Sequence, residues 1–276
     1  MIEFRNKIYP GSNGRKSLLD CEIPENAKAV IIFIHGYKGY KDWGCWNLVQ
    51  NFFVKNNFGF VKFNLTHNGG TVDQPIDFPD LEAFGSNTYS KELFDLDVII
   101  SETHRLIHQE LEMNLPIYLL GHSRGGGIAV LQGSNDARIS KIVSLAGISD
   151  IGSRFPVGNE LEDWRIDGVR FVENTRTKQN MPHYFSLYED FIANAAALDI
   201  EQAAKSLKIP FLQIHGDMDT SVSISEGIFL AEWTNTRLKI IKGADHVFGS
   251  SQPWTADEMP EDMEVVCDAV LAFFLE

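Results

Sequence analysis

Cysteine is scarce in this 276-residue chain, where only Cys21, Cys45 and Cys267 occur. Three scattered thiols argue against a disulfide framework and a zinc cluster; they read as buried side chains, none a credible nucleophile. Positive charge is scarce too: 24 lysines and arginines stand against 38 aspartates and glutamates, giving a formal net charge of -14 and a pI near 5.0. No basic run breaks that balance, so a phosphate backbone or an anionic lipid surface is repelled, and neither nucleic acid nor a membrane is expected as a partner. Long hydrophobic runs are missing as well, which leaves no segment able to cross a bilayer as a helix. The opening residues, Met1-Ile2-Glu3-Phe4-Arg5, lack the charged, apolar and small-residue zones of a secretory signal, and a cytoplasmic location is the expectation. There is no internal repeat and no low-complexity stretch.

What remains is an ordinary globular composition, 44% hydrophobic and 22% charged, sufficient for one large α/β domain with an enclosed core. From about residue 28 onward, short apolar runs alternate with helical patterns, the rhythm of a mostly parallel sheet covered by helices on both faces. Residues 29–34 (AVIIFI), 58–65 (FGFVKFNL), 117–120 (IYLL), 142–146 (IVSLA) and 209–214 (IPFLQI) are apolar enough to be strands buried on both faces, and 238–241 adds another. Helices are predicted at 46–55, 90–113, 125–132, 224–232 and 261–274; in the second of these Leu93, Leu96, Ile99, Ile100, Leu106 and Ile107 form one apolar stripe. Residues 2–9 and 17–23 read as an antiparallel hairpin turning through Pro10-Gly11-Ser12-Asn13-Gly14.

One region breaks the rhythm. The roughly 55 residues between Asp150 and Lys208 are too many for an ordinary connection and predict an insertion. Within it, 169–174 and 181–185 flank the polar Thr175-Arg176-Thr177-Lys178-Gln179 as a candidate hairpin, and 189–206 has helical character.

The chemistry concentrates at the ends of the predicted strands. Strand 117–120 runs into Gly121-His122-Ser123-Arg124-Gly125 and a helix follows at once, the setting of a G-x-S-x-G turn that holds a serine at strained dihedrals. Side chains at 121 and 125 would clash with each other or with the adjoining strand and helix, so only glycine fits. Strand 29–34 ends in His35-Gly36-Tyr37, and the N–H groups of Tyr37 and Arg124 are the expected pair of oxyanion donors. After 209–214 comes His215-Gly216-Asp217-Met218-Asp219; Asp219, deeper in the loop, is the carboxylate expected to orient a histidine, while Asp217 bonds turn amides. His246 follows strand 238–241, which completes the order Ser, Asp, His at one rim of the sheet. His35 precedes the nucleophile and reads as structural. His122 is expected to turn away from the reacting face, counting only among side chains near the pocket. His104 and His108 lie four apart on a helix, but no glutamate follows His104 and no third ligand is evident, so no metal site is expected.

These four motifs, His35-Gly36-Tyr37, Gly121-His122-Ser123-Arg124-Gly125, Gly216-Asp217-Met218-Asp219 and Ala244-Asp245-His246-Val247-Phe248, together resemble the α/β-hydrolase superfamily across nearly the whole chain. The looser likeness is to its dienelactone-hydrolase, serine-aminopeptidase-like and cinnamoyl (feruloyl) esterase branches. The resemblance implies a core domain of residues 1–149 and 209–276, interrupted after the sixth strand by a cap of residues 150–208. It also implies acyl-enzyme chemistry on a carboxylic ester, with Ser123 as nucleophile, His246 as general base, Asp219 as orienting acid and no cofactor. Dienelactone hydrolases proper use cysteine where this chain has Ser123, which argues against that ring-opening. Members that dehalogenate alkanes or open epoxides use aspartate there.

Candidate substrate contacts are Tyr37, Trp43 and His122 beside the nucleophile, and Trp164, Tyr184 and Tyr188 in the insertion, where aromatic residues either line a pocket or form the insertion's own small core. The expected partner is a small-molecule ester, with a second copy of the chain as candidate in a homodimer. A peptidase remains open, with Glu160, Glu162 and Asp163 as candidate sites for a peptide amine, as do a thioesterase or acyltransferase and, more distantly, a non-catalytic binding module.

Overall fold

The computed structural model describes residues 1–276. Eight strands form one sheet in the order β1-β2-β4-β3-β5-β6-β9-β10. The hairpin of β1 (Ile2–Pro10) and β2 (Lys16–Ile23) is antiparallel, and β2 is antiparallel to β4 (Gly59–Phe63). From β4 onward every neighbouring pair is parallel, through β3 (Val30–Ile34), β5 (Ile117–His122), β6 (Ile139–Leu145), β9 (Phe211–Gly216) and β10 (Leu238–Ile241).

Strand β3 shows why its sequence is apolar throughout. Its residues are all buried, but Val30, Ile32 and Ile34 enter one core while Ile31 and Phe33 enter the other, because successive side chains leave a strand on opposite faces. The first core also holds Leu96, Ile99 and Ile100 of α3 (Tyr89–Arg105) and Ile128 of α4 (Arg124–Asn135). The second is closed by Val49 and Phe53 of α1 (Trp46–Lys55) and by Val266, Val270 and Phe274 of α9 (Glu261–Leu275). Helix α8 (Ile224–Trp233) joins β9 to β10.

Several boundaries differ from the sequence expectation. The helix predicted to 113 ends its α-helical run at Arg105 and closes with one wide turn, Leu106–Glu110. Strand β9 starts at Phe211 because Pro210 has no N–H to give the ladder, and β6 stops at Leu145 because Ala146 takes φ 47°. The short helix α2 (Leu81–Gly85), capped by Asp80, and α5 (Asn159–Asp167) were not anticipated.

Between β6 and β9 the chain forms α5, a separate antiparallel pair of β7 (Val169–Asn174) and β8 (Gln179–Tyr184), then α6 (Ser186–Ala193) and α7 (Ile200–Ser206). The helix anticipated over 189–206 is thus broken in two, with the Asp199 carboxylate capping the second half at the Gln202 N–H. The β7–β8 pair reaches the loop after β3: Tyr37 Oη lies 2.7 Å from His183 Nε2, and Lys38 donates to the Glu173 carbonyl at 3.0 Å. No helix is long and apolar enough to cross a membrane.

A buried charge network locks the hairpin to the sheet. Asp20 of β2 lies 2.8 Å from Lys41 Nζ and 3.3 Å from Lys62 Nζ of β4, and both lysines also pair with Asp42. Both ammonium groups are out of water, so removing one carboxylate leaves charge that nothing else neutralises. Asp20→Ala is therefore expected to lower the unfolding free energy by about 3–5 kcal/mol, read from urea denaturation. An unchanged midpoint would refute the role given to the network.

Candidate active site

Strand β5 turns into helix α4 in a single residue. That residue, Ser123, sits at φ 57°, ψ -120°, a conformation that costs a side chain-bearing residue on the order of 1–3 kcal/mol. Its backbone is held from both sides: the N–H donates to the Leu145 carbonyl at 2.8 Å, and its carbonyl accepts from Gly126 at 3.0 Å and Ile148 at 3.2 Å. A Cβ on Gly121 would stand 2.2 Å from the Gly125 carbonyl oxygen, and one on Gly125 would stand 2.3 Å from that of Ile34. Glycine at both positions is what lets helix, turn and neighbouring strand approach so closely.

Two loops at the same sheet edge bring the other partners. His246, after β10, points Nδ1 at Asp219 Oδ2 across 2.7 Å. The second Asp219 oxygen accepts the N–H groups of Ser221 at 2.8 Å and Val222 at 2.9 Å. His215 adds a contact missed in the sequence: its Nε2 lies 3.1 Å from Asp219 Oδ2 and 3.0 Å from the Val222 carbonyl, so this nitrogen carries the proton. Burial alone would raise the Asp219 pKa, but the bonds from His215, His246 and Val222 outweigh it and hold the carboxyl well below the ordinary range. Asp217 instead accepts the Gly243 N–H at 2.6 Å. An ionised Asp219 fixes the His246 proton on Nδ1 and leaves Nε2 free to take one.

Ser123 and His246 line the same two cavities on either side of Tyr37. No hydrogen bond joins Ser123 Oγ to the His246 ring. The turn after β3 is against Ser123, since a Cβ on Gly36 would stand 2.9 Å from Ser123 Cβ. Tyr37 N–H faces no backbone acceptor, and Arg124 N–H belongs to the first helical turn, whose donors have no partner within the helix.

His35 and His122 take structural places. His35 Nε2 accepts from Leu65 N–H at 3.1 Å while Nδ1 donates to the Gly36 carbonyl at 2.9 Å, and burial pulls its pKa down to about 4. His122 Nε2 donates to the His246 carbonyl at 2.9 Å, with its pKa brought to about 3, chiefly by burial. His122 thus borders the pocket but braces the His246 loop. His104 and His108 lie 4.1 Å apart, ring to ring, and no group of three His, Cys, Asp or Glu side chains is arranged to hold a metal ion.

The two cavities have volumes of about 350 and 390 Å³. Tyr37 and Trp43 line the first. Trp164, Tyr184 and Tyr188 line neither, and those three assignments are corrected. Trp164 is buried, donates Nε1 to the His183 carbonyl at 2.8 Å and packs with Phe155, Phe185 and Tyr188, extending the first core of the sheet into the insertion. Tyr184 hydrogen-bonds Glu82 outside the pocket. Arg154, Arg170 and Val172 line the second cavity in their stead. The alternation of β7, which puts Arg170 and Val172 on one face, was the signal available for them. A larger cavity of about 640 Å³, bordered by Asp150, Phe191 and Trp233, does not reach Ser123.

No protein-family model matches the chain. No curated protein matches its sequence either. Solved structures do match its shape. Est1E from Butyrivibrio proteoclasticus, in a structure with ferulic acid bound, superposes with a TM-score of 0.74 at 18% identity over 98% of each chain. A dienelactone hydrolase from Anabaena variabilis gives 0.65 at 18% identity over 99% of this chain and 97% of that one. A Paleococcus ferrophilus monoacylglycerol lipase gives 0.65 at 15% identity over 99% of this chain and 100% of that one. At such identities the likeness is one of fold.

Burial of neutral imidazoles sets how the fold responds to acid. His35 and His67 have pKa values lowered to about 4, and His122 and His183 to about 3, in each case mainly by desolvation. Unfolded, each would titrate near 6.5, so the unfolded chain takes up protons first as pH falls. The stability they confer is whole above about pH 6.5 and drains away toward pH 4, each group adding about 1.4 kcal/mol per pH unit. Urea midpoints should therefore fall steeply from pH 7 to pH 5, and His67→Gln should flatten the slope by one proton; a flat profile would contradict the buried neutral assignment.

Proposed function

On the α/β-hydrolase fold that the chain shares with these structures, we propose a serine hydrolase that cleaves a carboxylic ester through an acyl-enzyme on Ser123. One observation carries this reading: the strained Ser123 turn shares its cavities with a histidine whose Nδ1 is tied to an ionised aspartate. His246 Nε2 would take the Ser123 hydroxyl proton as Oγ attacks the ester carbonyl, then return it to the departing alcohol. Water activated by the same nitrogen would release the acid. Asp219 would stabilise the imidazolium while remaining ionised. Negative charge on the attacked oxygen would be met by the N–H groups of Arg124 and Tyr37, which need no rearrangement. Residues 150–208 would act as a cap, since Arg170, Val172 and residues 174–176 of the β7–β8 pair border the nucleophile's cavities.

The names of the similar structures, an esterase-like Est1E with ferulic acid, a dienelactone hydrolase and a monoacylglycerol lipase, support ester chemistry for this one. The peptidase alternative has less in its favour: none of Glu160, Glu162 and Asp163 lines either cavity, and Glu162 is paired with Arg165.

A fluorophosphonate probe should label the protein at Ser123, and Ser123→Ala should abolish labelling and lower kcat on p-nitrophenyl esters by on the order of a millionfold. Asp219→Asn, which permits the wrong tautomer, should cost about ten-thousandfold. Turnover undiminished in Ser123→Ala would sink the assignment.

A further inference from the structure

The chain carries a formal charge of -14, yet five cationic side chains and not one aspartate or glutamate line the two cavities at Ser123. Lys38 and Arg176 line one; Arg124, Arg154 and Arg170 line the other. Three of the five are neutralised from behind: Arg124 by Glu92 at 3.0 Å, Arg154 by Glu226 and Arg176 by Asp77. The remaining two have no salt bridge. Lys38 reaches only the Glu173 carbonyl oxygen, and Arg170 reaches only the Arg154 carbonyl, at 3.4 Å. Glu160 attracts Arg170 from beyond pairing distance.

Arg170 is also built to stay where it is. Its guanidinium lies 4.6 Å from the centre of the Trp164 ring, and that indole is fixed in turn by its bond to the His183 carbonyl. The Nε atoms of both Arg154 and Arg170 are buried without an acceptor. The terminal nitrogens of this half-buried guanidinium make one hydrogen bond, at 3.4 Å, and its planar fork suits a carboxylate or phosphate. The other walls of this cavity, Ile148, Val172, Val222, Tyr37 and Tyr89, leave room for a short apolar chain between the reacting carbon and the charge.

We propose that the substrate is an ester bearing an anionic group, a carboxylate or a phosphate, which docks on Arg170 in the cavity beside Ser123. This rests on the hydrolase reading, with Arg170 as a specificity residue remote from the reacting atoms. An acidic exterior around a cationic cleft concentrates small anions at the one place that accepts them and discourages larger polyanions elsewhere.

Two matched ester pairs test it. In mono-p-nitrophenyl glutarate against p-nitrophenyl pentanoate the charge is on the acyl side; in 4-acetoxybenzoate against phenyl acetate it is on the alcohol side. In at least one pair the anionic ester should have the higher kcat/KM by about tenfold or more, and Arg170→Met should reduce that ratio about tenfold, with Arg170→Lys retaining part of it. p-Nitrophenyl 4-phosphonobutanoate beside the glutarate ester tells phosphate from carboxylate. Preference for the neutral ester in both pairs, or a ratio unmoved by Arg170→Met, overturns the inference while leaving the hydrolase assignment intact. Calorimetric binding of monomethyl glutarate to the Ser123→Ala protein separates the two readings in the other direction. Binding that depends on Arg170 in a protein whose wild type turns over no ester would uphold the anion site and reject hydrolysis.

Discussion

Helix α4 can leave strand β5 within one residue only because two backbones touch where side chains would normally keep them apart. The missing Cβ atoms of Gly121 and Gly125 would each fall little more than 2 Å from a carbonyl oxygen, one in the first turn of the helix and one at the end of β3. That contact drives Ser123 to positive φ and places its side chain at the mouth of the sheet. The strain is offset by position: β5 lies in the middle of the sheet, paired with β3 on one side and β6 on the other, and the Ser123 peptide is bonded to the strand end and loop beyond. A turn of this shape at a sheet edge would relax. The same geometry supplies an unspent helix N-terminus one residue after the nucleophile, so the backbone that strains the serine also offers a donor to any charge that forms beside it.

The insertion and the β3 turn are coupled through Tyr37. Its backbone is the expected oxyanion donor, its ring faces the Arg124 guanidinium at 4.6 Å, and its hydroxyl meets His183 of β8. Burial keeps both ends of that hydrogen bond neutral, pushing the Tyr37 phenol up to about 12 and the His183 imidazole down to about 3. The bond therefore survives across the working pH range with no change in charge. The β7–β8 pair is thereby tied to the turn that abuts Ser123, as well as supplying a share of the cavity wall.

The elements legible from sequence were those governed by local rules. Buried parallel strands announce themselves as continuous apolar runs, and 29–34 and 117–120 were readable for that reason. The glycines around Ser123 and the Ser, Asp, His order marked strand ends, because only a few residue types satisfy such turns. Substrate contacts obey no comparable rule. Trp164, Tyr184 and Tyr188 were aromatic residues in the right segment, but Trp164 with Phe155 and Tyr188 is spent on joining the insertion to the first core of the sheet. Arg154 and Arg170, by contrast, are charged, and hydropathy alone puts charge on a surface. The approach of Arg170 to Ser123 depends on how the β7–β8 pair packs across the sheet edge, and that of Arg154 on the turn at 152–154 ahead of α5, tertiary relations with no footprint in local pattern. Helix α5 was missed for a related reason: its residues are mostly exposed and only Trp164 is buried, so no apolar stripe reveals it.

Asp219 shows how much of the polar arrangement exists to keep one charge in place. Its side chain is fully buried, and a lone carboxylate there would take up a proton rather than remain charged. Two backbone N–H groups saturate one oxygen while His246 and His215 share the other, and this set of donors outweighs the burial. His215 takes no part in the proposed proton transfer. Its ring is wholly enclosed, its Nε2 also anchors to the Val222 carbonyl, and Gly227 of α8 leaves the room it occupies, since a Cβ there would stand 2.7 Å from its Nδ1. In the proposed reaction a proton taken by His246 would strengthen its attraction to Asp219, and after its release the carboxylate would still have three donors that do not move. The ionisation of Asp219 is thereby set by the scaffold, which holds this proton acceptor in place on the Nδ1 side of the His246 ring.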